Sequence, residues 1–180
     1  MKYYTKASTN GKMSAREKEN FDVAYRAACE SIVLLENDGV LPLKNKTVAL
    51  FGNGAKRTIK GGTGSGEVNE RHSVNILEGL EKSGVIVITQ KWIEDYEELY
   101  TTKEKEFNDG KVKKSIKNPS KAMELLADFG GCAARKVSHK DIEESKTDTC
   151  IYVVARQAGE GVDRRAKKAI YILPMKNMQI

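Results

Sequence analysis

The sequence predicts an α/β fold built on a parallel sheet, and three observations carry that expectation. Three continuous apolar runs, at 47–51, 85–89 and 149–156, have the length and the Val and Ile content of strands buried on both faces. A segment of helical periodicity lies between the first two runs, as in a βαβ unit. Glycine-bearing loops follow the first and third runs, where open α/β sheets gather their functional groups.

The elements follow in order along the chain. Ser14 is a candidate N-cap, with Glu17 three residues on as its capping-box partner. From Ser14 to Leu35 the residues Phe21, Ala24, Tyr25, Ala28, Ile32 and Leu35 share one face at three- and four-residue spacings. Asn37-Asp38-Gly39 ends this helix, and Leu41-Pro42-Leu43 follows as an extended segment, because proline biases its predecessor away from helix. Thr47–Phe51 is the first strand. Ser73–Gly84 is an amphipathic helix closed by Gly84, and Val85–Thr89 is the second strand, reached by a right-handed crossover. Residues 91–146 are charged and weakly periodic. Helices are expected there around Trp92–Tyr100 and Pro119–Phe129, the latter capped by Gly130-Gly131, and Asp141–Glu144 leads into a short helix. Thr149–Arg156 is the third strand, with Gln157–Gly161 as the loop at its C-terminal end. No internal repeat at a solenoid period is present.

Composition bounds the function classes. A chain of 180 residues, 39% hydrophobic and 31% charged, suffices for one domain with a real core. Its net charge of +6 would admit a nucleic-acid partner. Yet the bases are dispersed among acids, and Lys111, Lys113, Lys114, Lys117 and Lys121 have no interleaved aromatics on which bases could stack, so a solvated face is the preferred reading. Cys29, Cys132 and Cys150 lack the CxxC spacing of a zinc or redox site and are expected as small buried hydrophobes. His72 and His139 stand in no constellation that suggests a base or a ligand, which leaves solvated or capping roles. No cofactor is called for. The N-terminus has no apolar signal core and no run approaches a membrane span, so the expected compartment is the cytoplasm, with neither membrane nor nucleic acid as partner.

Three loops hold the candidate chemistry. Gly52-Asn53-Gly54 matches the first two glycines of a dinucleotide fingerprint, but Arg57 occupies the third position and no Gly-Lys-Ser/Thr ending follows. Glycine there serves a tight turn off the strand. Gly61–Arg71 is a run of small residues giving way to polar ones, which is either a close-approach surface for a ligand or neighbouring domain, or a flexible loop. In the third loop Glu160 lies between Gly159 and Gly161, beyond a buried strand. A carboxyl group there could act as a general acid if burial raised its pKa; it could equally sit in a surface turn, paired with Arg164.

Taken together these segments resemble one family. Glu30–Leu43 is similar to the lead-in of the C-terminal-type domain of family 3 glycoside hydrolases, which include many β-glucosidases. Val48–Gly52 with Gly62–Asn69 resembles its first strand and glycine-rich loop, and Val153–Arg164 its acid/base loop, all in family order across residues 28–168. The resemblance implies a six-stranded α/β sandwich with a flavodoxin-like parallel sheet, packed against a (β/α)8 barrel. Three strands are present here, so the expected fold is a partial sandwich. It also implies retaining hydrolysis of a terminal β-linked sugar, the carbohydrate substrate lying at the junction of the two domains. Glu160 matches the acid/base position, and the family nucleophile, an aspartate on the barrel, has no counterpart in this sequence. Its carboxyl group would stand ~5–5.5 Å from that of the acid/base. Gly62, Thr63, Gly64, Ser65, Gly66, Glu67, Asn69 and Arg71 are expected near the sugar or the domain junction, with Arg156, Asp163 and Arg164 supporting the loop.

The tail departs from the family pattern after Arg164. A shifted reading frame from the third base of the Lys168 codon restores a family-like continuation, so residues 169–180 are read as an aberrant tail for which a frameshift is one account. Residues 1–27 are read as an extension with the start of the lead helix. The expectation is a fragment of a parent with permuted domain order, the barrel following position 180, inactive by itself. The competing expectation is a catalytically inert carbohydrate-binding or interaction module of the same fold. A nucleotide-binding α/β protein is the third, and it needs phosphate bound at Gly52–Gly66.

Overall fold

The computed structural model describes residues 11–62, 72–120, 129, 131–133 and 135–158. The chain divides into two compact units, Met1–Lys44 and Asn45–Ile180.

In the first unit, α1 (Ala15–Ser31) begins as expected. The Glu17 amide donates to the Ser14 hydroxyl at 3.2 Å, and the Ser14 amide donates to the Glu17 carboxylate at 2.7 Å. The helix stops four residues short of Leu35, because Ile32 is already extended. Ile32 and Val33 are β-branched and lose side-chain freedom in a helix. None of the face spaced from Phe21 to Leu35 is buried. Beyond the helix, the Asn37 side chain accepts from the Gly39 and Leu41 amides and donates to the Leu41 carbonyl, closing the predicted turn. The Leu41–Pro42 bond that follows is cis.

The second unit is an open parallel sheet in the order β2-β1-β3, with β1 Thr47–Phe51, β2 Ile86–Val87 and β3 Cys150–Tyr152. Thr47 pairs with Ile86 on one side, while Ala49, Leu50 and Phe51 pair with Cys150, Ile151 and Tyr152 on the other. This is the partial α/β sheet that the apolar runs predict. Only β1 is buried as expected, from Val48 to Phe51. The second and third runs form shorter strands, and Ile86 and Tyr152 are exposed. The reason is positional, since among the described residues β1 alone has a neighbour on both sides. On the β2 side the ladder ends at Thr89, whose buried hydroxyl accepts from the Leu50 amide and donates to the Leu50 carbonyl, both at 2.8 Å. A side chain thus completes what the strand does not.

Between β1 and β2 lies α2 (Ile76–Lys82), shorter than the predicted 73–84 because Asn75 caps it through the Glu78 amide. After β2 comes α3 (Gln90–Lys117), a helix of 28 residues and about 42 Å. Only its first turns, 92–100, were legible as helix. They place Trp92, Ile93 and Tyr96 against the sheet, and an aromatic series runs from Phe51 through Trp92, Tyr96 and Tyr100 to Phe129. The outer half is held by good helix formers and pairs such as Lys103–Glu106 rather than by an apolar stripe. The helix expected at 119–129 lies largely outside the described residues. Burial raises the Tyr96 phenol pKa, and its hydroxyl donates to the Cys132 carbonyl at 3.3 Å.

A capping box of Ser138 and Asp141 starts α4 (His139–Ser145). Arg135 links it to α3, reaching Asp95 at 3.1 Å and Asp141 at 3.0 Å. The cysteines correct the expectation of burial: Cys29 and Cys150 are exposed and Cys132 is half-buried, since α1 buries nothing and β3 is an edge strand. Among the described residues no helix is long and apolar enough to cross a membrane.

Two outcomes are expected. Thr89→Val strips Leu50 of both partners at nearly constant volume, and should lower stability by about 2 kcal/mol or more in urea denaturation. The second concerns pH. Burial disfavours ionised Asp141, but hydrogen bonds from Ser138, with Arg135 and Lys140 beyond, outweigh it and hold its carboxyl below the usual range. Lys91 and Arg135 do the same for Asp95. These lowered values contribute stability above the unfolded carboxylate pKa of ~3.9, and it is lost as pH falls through the folded values. Asp141→Asn should therefore flatten the acid limb of urea midpoint against pH.

Candidate functional site

Parallel strands bring the two candidate loops to one edge of the sheet. The glycine-rich loop leaves the C-terminal end of β1, the loop bearing Glu160 leaves that of β3, and these strands are neighbours. Close approach at this edge is enforced by glycine. Gly52 turns the chain with φ 97°, and a Cβ there would stand 2.2 Å from the Val153 carbonyl oxygen. At Gly54 a Cβ would meet the side chains of Val153 and Ala155 at 2.6 and 2.9 Å.

Hydrogen bonds then stitch the loops together. The Val153 amide donates to the Phe51 carbonyl, and the Gly54 amide to the Val153 carbonyl. Beyond the last main-chain bond, the Asn53 side chain donates to the Ala155 carbonyl at 2.9 Å and accepts from the Ala155 amide at 3.1 Å. The Gln157 side chain reaches the Gly61 carbonyl at 3.2 Å. On the other flank, the Thr58 hydroxyl donates to the Gly54 carbonyl and accepts from the Ile76 amide, and the Leu77 amide donates to the Ala55 carbonyl. The first turn off β1 is therefore fixed to α2 and to β3 at once.

Arg57, at the failed third position of the dinucleotide fingerprint, ion-pairs with Glu97 at 3.0 Å and lies 3.5 Å over the Tyr100 ring. Burial raises the Tyr100 phenol pKa, against the pull of Arg57. The Gly54 and Ala55 amides are spent on Val153 and Gly52, so these two donors are not turned toward a phosphate. No cluster fit for a metal occurs among the described residues. His72 is exposed and contacts Glu78 at 2.9 Å, in keeping with a surface role.

Of the site residues read from sequence, Gly62 is exposed at the end of the described loop and Arg156 is half-buried after β3. Thr63, Gly64, Ser65, Gly66, Glu67, Asn69, Arg71, Glu160, Asp163 and Arg164 lie outside the described residues. Asn53 and Gln157 were missed, because their partners lie 102 and 96 residues away and no local spacing signals such a bond.

The family model of the glycosyl hydrolase family 3 C-terminal domain matches residues 32–177. The chain belongs to this family. β-Glucosidase A of Butyrivibrio fibrisolvens is 34% identical to this family 3 domain over 159 residues, covering 87% of the chain but 17% of the relative. The chain thus spans less than a fifth of that relative's length. No solved structure matches it. In this family 3 domain, the packing at the two glycines orders their substitutions. Gly52→Ala meets a backbone carbonyl oxygen at 2.2 Å in a left-handed conformation and should cost at least ~2 kcal/mol, whereas Gly54→Ala, with no positive φ and its nearest contacts the Val153 methyl at 2.6 Å and the Ala155 Cβ at 2.9 Å, should cost less in the same urea assay.

Proposed function

We propose that this domain supplies the general acid/base of a retaining β-glycosidase that hydrolyses terminal β-linked sugars, with Glu160 in that role. The observation that carries the reading is the delivery of the two loops to one sheet edge, with Asn53 and Gln157 tying their bases together. Glu160 follows three residues after Gln157, and Gly62 directly follows the Gly61 that Gln157 holds. Gly62, Thr63, Gly64, Ser65, Gly66, Glu67, Asn69 and Arg71 then face the sugar or the domain junction, while Arg156, Asp163 and Arg164 support the acid/base loop. The relative's name, a β-glucosidase, supports the substrate class.

In the first step protonated Glu160 gives its proton to the glycosidic oxygen as the C–O bond breaks, and an aspartate from a (β/α)8 barrel bonds to the anomeric carbon. In the second, ionised Glu160 takes a proton from water, whose oxygen displaces the aspartate. The same carboxyl group serves as acid and then base, which requires a pKa raised toward neutrality. The barrel is the proposed partner, in the same chain as its domain.

The test uses residues 32–177 exchanged for the matching segment of β-glucosidase A. Glu160→Gln should lower kcat/KM on methyl β-glucoside, whose leaving group needs the proton, by about 10²- to 10⁴-fold, and the 180-residue chain alone should show no turnover. Full activity in the Gln variant would remove the assignment.

A further inference from the structure

We propose that Asn53 is a positioning residue for the acid/base loop. The inference rests on the assignment of Glu160 above. Main-chain pairing between β1 and β3 cannot continue past Val153, because the chain turns away at Gly52 with φ 97°. The Asn53 side-chain amide takes over. Its coplanar N–H and C=O face the same way, and so match the carbonyl and amide that Ala155 turns toward them, as the N–H and C=O of a paired strand residue would. This carries the ladder two residues further on the β3 side, from Val153 to Ala155, without prolonging β1. Ala155 is five residues before Glu160, and the next anchor is the Gln157 bond to Gly61. The first of these anchors fixes the direction in which the acid/base loop leaves the sheet. The second fixes its separation from the glycine-rich loop.

Only an amide performs the first task. Alanine removes both bonds, and aspartate keeps the acceptor while setting a carboxylate against the Ala155 carbonyl. Gly52 and Gly54 on either side leave the Asn53 backbone placed by other contacts, so the loss falls on β3 rather than on β1.

General-acid assistance matters in proportion to how poor the leaving group is, which separates positioning of the acid from general damage. In the exchanged enzyme, Asn53→Ala should lower kcat on methyl β-glucoside by about 10- to 100-fold, as a misplacement near 1 Å does, with KM little changed. The kcat/KM for 2,4-dinitrophenyl β-glucoside, which reports the first step alone and whose leaving group needs no proton, should stay within about threefold. Equal losses on both substrates would overturn the proposal. Glu160→Gln run beside it tests the underlying assignment: if that variant shows no leaving-group dependence, the acid/base reading fails whatever Asn53 does. On the 180-residue chain itself, amide exchange in Asn53→Ala should accelerate about tenfold or more at Ala155 and leave the β1 amides at Val48–Leu50 unchanged. Acceleration throughout β1, or a variant that does not fold, would make Asn53 a mere fold determinant and overturn the proposal.

Discussion

Everything in the second unit depends on satisfying the backbone of one buried strand. β1 lies between two neighbours and sees almost no water from Val48 to Phe51, so each of its amides and carbonyls must find a partner inside the protein. The partners come from two distant stretches: residues 86–89 on one flank and residues 149–153 on the other. Once those bonds are made, the register of both edge strands is set, and so is the point at which each following loop departs. The candidate site is thus a by-product of how β1 is satisfied.

The aromatic series on α3 answers a different demand. Phe51 ends β1 and needs cover, and Trp92 meets it edge-on at 5.2 Å. Tyr96 and Tyr100 continue the contact along the helix, and Arg57 and Arg135 lie over Tyr100 and Trp92. Trp92 Nε1 is buried and, among the described residues, has no hydrogen-bond partner. Its nitrogen is given up so that the ring can fill the space above Phe51, an exchange in which buried area outweighs one unmade bond.

What was legible in the sequence follows from the range of the forces involved. The helix start at Ser14 was legible because its capping box depends on residue types three apart; the same pattern at Ser138 and Asp141 was passed over, and that short helix was expected only from Asp141. β1 was legible because burial on both faces demands an unbroken apolar run. The edge strands were overestimated for the same reason: Val154 has strand chemistry but lies past the last paired residue of β3, and on the β2 side only the Ile88 amide still bonds to β1 before the Thr89 side chain takes over. The outer part of α3 escaped notice because its stability resides in residue propensity and short ion pairs, which leave no periodic stripe. At the site, the glycine pattern and Glu160 could be picked out by resemblance, whereas Asn53 lay in plain view as the middle of a failed fingerprint. Its partner becomes visible only when chain distance is replaced by space.

The span from Val87 to Cys150 has its two ends pinned to opposite sides of β1. Whatever the chain does between them, the closing geometry is the same, and the entropic cost of a longer excursion rises only by ~0.6 kcal/mol per doubling. The outer half of α3 therefore belongs to a stretch free to lengthen, shorten or diverge between relatives while the edge that carries Asn53 and Ala155 stays in place. Variation in size within such a domain would gather here, and two members could differ by dozens of residues yet keep superimposable loop bases after β1 and β3.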